Sequence, residues 1–195
     1  MLDEITNSLN LIVSQTQENM PYLLNIILVL WGVFFVTRVL PGILYLGITP
    51  RKIHGIPGIF IAPFLHANFN HLFFNTIPLL VLSNFILING ITHYLQVSFM
   101  IIIISGVLIW LFARPAIHIG ASAVITGYWA FLVINSYEEP NVTSIILAII
   151  CLYYFTGIFL GVFPQGKGVS WEGHLFGLLA GITTSYYFSY LVAFF

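Results

Sequence analysis

Residues 118–136 read HIGASAVITGYWAFLVINS. One serine, Ser122, stands among small residues at the head of an apolar run that ends by Ser136. The run is continuous and does not alternate every second residue, so a membrane β-strand is a poor reading of it. A backbone that crosses lipid must satisfy its own hydrogen bonds, which leaves a helix. A hydroxyl in the first turn of that helix would lie below the membrane surface. Ser122 therefore reads as a nucleophile, and His174, two membrane passes later, as its base.

The same apolar texture runs through the chain. Of 195 residues, 59% are hydrophobic and 6% charged, and the mean hydropathy is +1.03. A soluble domain is about 25% charged, so this is an integral membrane protein. Apolar stretches at about 22–46, 69–88, 93–112, 120–136, 142–163 and 170 onward approach the roughly 20 residues that a spanning helix needs. The expectation is an all-α polytopic membrane protein, a bundle of six transmembrane helices. Residues 21–195 form one membrane domain, after a polar, acidic segment, 1–20, that lies on the membrane surface or hangs as a tail. That segment lacks the basic n-region of a signal peptide. Between the first two spans, IFIAPFL (Ile59 to Leu65) is too short to cross and reads as re-entrant or interfacial. A Pro164–Gly168 turn and a Ser170 N-cap would lead into the last span. The single cysteine, Cys151, excludes an intrachain disulfide and a cysteine metal site. A net charge of −1 gives no footprint for nucleic acid.

Spans two, four and six run in one direction, so their N-terminal ends share one side of the membrane. Each opens with a reactive type of residue: His71 and Asn75, then Ser122, then His174. Taken singly, a membrane serine usually bonds its own helix or a neighbour, and a membrane histidine usually packs. Three in register are what mark a site, since intramembrane polar groups are costly. His71 and Asn75 share a helix face, and both can donate hydrogen bonds to an oxyanion. The Ser122 amide, at a helix start, is a third donor. Gly120 keeps the approach open. Gly177 and Gly181 give helix six a small-residue face that lets helix four approach closely. His54, His93 and His118, in loops or at helix edges, read as solvated, and His66 has no assigned role. A metal held by His66, His71 and His174 is disfavoured, because a histidine metalloprotease motif needs a glutamate where Leu72 stands. Asn141-Val142-Thr143 abuts a span and reads as a helix start. No inverted repeat suggests a transporter.

With these residues in hand, the chain resembles the rhomboid intramembrane serine proteases. HANFNHLFFN (His66 to Asn75), GASA (Gly120 to Ala123) and GHLFGLLAG (Gly173 to Gly181) occur in that family's order and on its second, fourth and sixth helices. The resemblance implies a Ser122–His174 dyad without a carboxylate, and an oxyanion hole of His71, Asn75 and the Ser122 amide. It implies transmembrane protein substrates, no cofactor, no metal, and residence in a prokaryotic plasma membrane. The alternative is an inactive relative that binds or escorts membrane segments. Two positions depart from the family pattern: Ala123 replaces a glycine, and Thr126 replaces an aromatic that packs on the histidine. Charge adds a conflict. All five basic residues lie at loops on the side of the candidate site, and five of six acids lie on the other. The positive-inside rule makes the site's side cytoplasmic, whereas the family's common bacterial orientation opens it outward; the family orientation is retained here.

Overall fold

The computed structural model describes residues 1–163 and 171–192. The regular structure of the described residues is helical, apart from one isolated antiparallel bridge between Ile48 and His118. Six long helices carry the chain: α1 (Leu2–Val39), α2 (Phe69–Leu87), α3 (Ile91–Phe112), α4 (Ser122–Glu138), α5 (Val142–Leu160) and α6 (Trp171–Val192). Among the described residues, α1, α2 and α3 are each long and apolar enough to cross a membrane. Large apolar side chains such as Leu28, Phe35, Phe74 and Phe99 point outward, a surface that water does not tolerate and hydrocarbon does.

The helix starts follow local chemistry. Asn68 caps α2 by accepting the His71 amide at 2.9 Å, and Asn141 accepts the Ser144 amide at 2.8 Å to start α5. The anticipated Pro164–Gly168 turn and Ser170 cap lie outside the described residues. The first span differs from expectation at both ends. It stops at Val39, not near Leu46, because the residue before a proline is pushed out of helical geometry; Leu40 sits at φ −121°, ψ 73°, and Pro41–Leu46 forms a 3-10 helix. At the other end the helix starts at Leu2 and runs through Pro21, so residues 2–20 are helical rather than a loose tail. Asn84 of α2 holds this half in place, accepting from Asn19 at 3.2 Å and donating to Thr16 Oγ1 at 2.8 Å.

At the centre stands α4, whose residues from Ala123 to Leu132 are all buried. It lies closest to α6. A Cβ on Gly177 would come 2.1 Å from the Ala123 carbonyl oxygen, and one on Gly181 would come 2.1 Å from that of Gly127. The small-residue face anticipated on helix six thus meets helix four, backbone against backbone. The long α1–α2 connection packs on α3, where Trp110 Nε1 donates to the Lys52 carbonyl at 2.9 Å, and at the start of α4. The Ile59–Leu65 stretch forms short helical turns within it. The Ile48–His118 bridge, with N···O distances of 3.0 and 2.9 Å, pins it to the loop that enters α4.

Candidate active site

The chain reaches Ser122 through Gly120, whose φ of +114° is a conformation that L side chains rarely adopt. Space imposes the same choice: a Cβ there would fall 2.6 Å from Cε1 and Nε2 of His71. The Gly120 amide donates to the Ala62 carbonyl at 2.9 Å, which fixes the turn. Ser122 is then the first residue of α4, after Ala121 at the N-cap. The first amides of a helix have no partner within it, so the Ser122 N–H is directed out of the helix end.

Ser122, His174, His71 and Asn75 line one cavity of about 530 Å³, together with His118, Ile119 and residues around Asn68. All four are half-buried. Among the described residues the Ser122 hydroxyl makes no direct hydrogen bond to His174; such bonds are often loose before substrate arrives. The His174 ring is nonetheless oriented. Its Nδ1 lies 2.8 Å from the Gly161 carbonyl oxygen. A carbonyl only accepts, so Nδ1 carries the proton, and in the neutral ring Nε2 keeps its lone pair. A second, smaller space of about 30 Å³ adjoins the serine, lined in part by Gly106, Ile109, Ile119 and Ala123.

Asn75 is also held. Its Nδ2 donates to His66 Nε2 at 3.2 Å, and the His66 Nδ1 lies 3.4 Å from the Phe64 carbonyl. One neutral tautomer satisfies both contacts. Full burial, and secondarily the neighbouring His71, push the His66 imidazole down from the usual 6.5 to about 4, against the opposing hydrogen bond to Phe64. His66 is thus a neutral support for Asn75, which sequence reasoning left without a role. Two other histidines differ from expectation. His118 is not solvated but 6% exposed, because its backbone joins the bridge to Ile48 and its Nε2 donates to the Arg114 carbonyl at 3.1 Å. His93 packs between Phe131 and Phe188, with its Nε2 buried. His54 is exposed as expected.

Of the two departures, Thr126 is fully buried and donates to the Ser122 carbonyl at 2.8 Å. Ala123 supplies the backbone against which Gly177 packs. Glu172 pairs with Arg114, Nε to Oε1 at 3.1 Å.

A family model described as the Rhomboid domain matches residues 54–191, which includes every residue of the cavity named above. Uncharacterized proteins of Mycobacterium tuberculosis and Mycobacterium bovis are each 39% identical over 152 residues, covering 73% of this chain and 63% of theirs. An uncharacterized protein of Mycobacterium leprae is 38% identical over 152 residues, covering 73% of this chain and 60% of its own. The chain therefore spans less than two thirds of the length of these relatives. With the family model covering well over half of its residues, this membrane-embedded helical chain belongs to the rhomboid family.

Proposed function

We propose that the chain is an intramembrane serine endopeptidase that cuts transmembrane segments of other membrane proteins, with Ser122 as nucleophile and His174 as general base. The observation that carries this reading is the His174 Nδ1 bond to the Gly161 carbonyl. It leaves Nε2 as the basic nitrogen on a ring that shares a cavity with Ser122 and two side-chain donors. In the triad proteases a carboxylate sets the tautomer; here a peptide carbonyl does it.

The chemistry follows from the atoms. Ser122 Oγ attacks a peptide carbonyl carbon while its proton passes to His174 Nε2. The negative oxygen of the tetrahedral adduct accepts from the Ser122 amide, Asn75 and His71. Oxyanion donors of this kind contribute about 3–4 kcal/mol each. As the C–N bond breaks, the imidazolium gives its proton to the leaving amine, and an acyl ester remains on Ser122. Water entering the cavity gives up a proton to His174 and attacks the ester; as the C–O bond breaks, Ser122 Oγ takes that proton back and a carboxylic acid leaves. The small space beside Ser122, lined in part by Gly106, Ile109 and Ala123, is where the side chain next to the cut bond would sit. A regular helix hides its carbonyls, so segments with helix breakers near the membrane edge are the favoured substrates.

All six long helices cross the bilayer in this reading, in the plasma membrane of a prokaryote, with the cavity opening away from the cytoplasm. The mycobacterial relatives support a bacterial setting. The test is covalent labelling by a fluorophosphonate probe. Labelling of the wild type that Ser122→Ala and His174→Ala each abolish, with the protein still folded, is the expected result. No labelling of the wild type would make the chain an inactive relative instead.

A further inference from the structure

We propose that Arg114 and Glu172 are positioning residues that hold the start of α6, and with it His174, in register with the loop that carries Ser122. The inference rests on the dyad reading above and extends it to two residues that touch none of the reacting atoms.

Arg114 stands just beyond the end of α3, and it grips both candidate elements. Its guanidinium Nε lies 3.1 Å from Oε1 of Glu172. Glu172 is the second residue of α6, two before His174, and its side chain is 6% exposed against 50% for Arg114. The backbone carbonyl of the same arginine accepts from His118 Nε2 at 3.1 Å and from the Ala116 amide at 2.8 Å. His118 stands four residues before Ser122 and is itself buried. A polar chain from His118 through Arg114 to Glu172 therefore ties the nucleophile's loop to the base's helix, by a route separate from the α4–α6 glycine contact.

Energetics argue that the tie is firm. Exposed ion pairs contribute little, but here one partner is buried. A buried carboxylate is tolerated only when it is paired, and the helix N-terminus adds a favourable dipole. Glu172 and His174 belong to the same rigid first turn, so a shift of one is a shift of the other. A misplacement of about 1 Å at a reacting centre can cost about a hundredfold in rate.

The experiment separates placement from folding by measuring two quantities in the probe reaction: the first-order rate constant at saturating probe, and the fraction of protein finally labelled. The main variant is the double change Arg114→Leu/Glu172→Leu, which removes both charges together, a replacement that folded proteins often tolerate without loss of stability. Its expected result is an unchanged labelled fraction with a rate constant lower by about ten- to a hundredfold. Arg114→Lys, which keeps the charge pair, retains most of the rate. An unchanged rate constant in the double variant overturns the proposal, and so does a loss confined to the labelled fraction, which marks a folding role alone. If the double variant does not accumulate, Glu172→Gln is read by the same two quantities. A wild type that fails to label removes the dyad reading itself, and this inference with it; a wild type that labels while both variants match its rate removes only the inference.

Discussion

A histidine that acts as a base needs its other nitrogen engaged, and at His174 the partner is a neutral dipole, the Gly161 carbonyl. It fixes the tautomer, but it offers the imidazolium less stabilisation than a carboxylate would. In the proposed reaction the donors facing the oxyanion would then carry more of the catalytic burden, and the support of Asn75 by His66 would be consequential. His66 titrates near 4 in the fold because burial disfavours its charge. The unfolded chain binds a proton there below about 6.5. The depressed folded value means that His66 contributes its full share of stability above pH 6.5, and that this share is lost as the pH falls toward 4. A charged His66 would also turn an N–H toward the Asn75 amide, where it now accepts. The thermal-unfolding midpoint of the wild type should therefore fall more steeply between pH 6.5 and 4 than that of His66→Gln; parallel slopes would show that His66 does not titrate as described. At this scale the sequence made Ser122, His174, His71 and Asn75 visible, because each is a costly polar group at one depth. Gly161 was invisible, since its contribution is a backbone carbonyl that any residue carries. His118 escaped because a loop position suggested water, and His66 because nothing local gave it a role; both are buried in the fold.

Helix placement decides whether those side chains meet, and the contact that matters most is α4 against α6. Gly177 and Gly181 let two backbones touch one and two turns beyond His174, beside Ala123 and Gly127. The atoms that a new Cβ would strike are carbonyl oxygens, which no rotamer change can move aside. Gly181→Ala should thus cost about 1–3 kcal/mol and slow probe labelling, read by unfolding in a denaturing-detergent titration alongside the labelling rate. Gly106→Ala on α3 gives the contrast, because its Cβ would meet the Ile59 side chain at 2.5 Å. Pairing it with Ile59→Ala should restore stability, whereas no side-chain trimming should rescue Gly181→Ala. Rescue of Gly181→Ala by such a change would mean that the helices are not locked backbone to backbone. The boundaries of α2 to α5 were legible to within a few residues, since capping asparagines and apolar runs are local signals. The reach of α1 was not. Its first half is polar in sequence, and it stays on the bundle because Asn84, more than sixty residues away, bonds Thr16 and Asn19.

Across the whole molecule, the charge distribution has a structural cause that bears on orientation. Arg38 donates to the Ala67 carbonyl at 3.0 Å and lies over the Phe34 ring. Arg51 donates to the Leu111 and Ala113 carbonyls at 3.0 and 2.9 Å, closing the C-terminus of α3, where a cation also suits the helix dipole. Arg114 pairs with Glu172. Three of the five basic residues thus hold backbone carbonyls or a buried carboxylate within the fold, and their place follows from what they hold. The positive-inside rule counts loop cations without asking what they hold, so a count dominated by structural arginines is weak testimony about topology. The cavity side should then face away from the cytoplasm, as proposed. Lys52 is exposed on that side and Tyr137 on the opposite one, 79% exposed, while the native Cys151 is buried and should stay silent. In intact bacteria, a membrane-impermeant thiol reagent should label Lys52→Cys at once and Tyr137→Cys only after the membrane is opened. The reverse pattern would place the cavity on the cytoplasmic side, and would mean that even arginines engaged in the fold had set the direction of insertion.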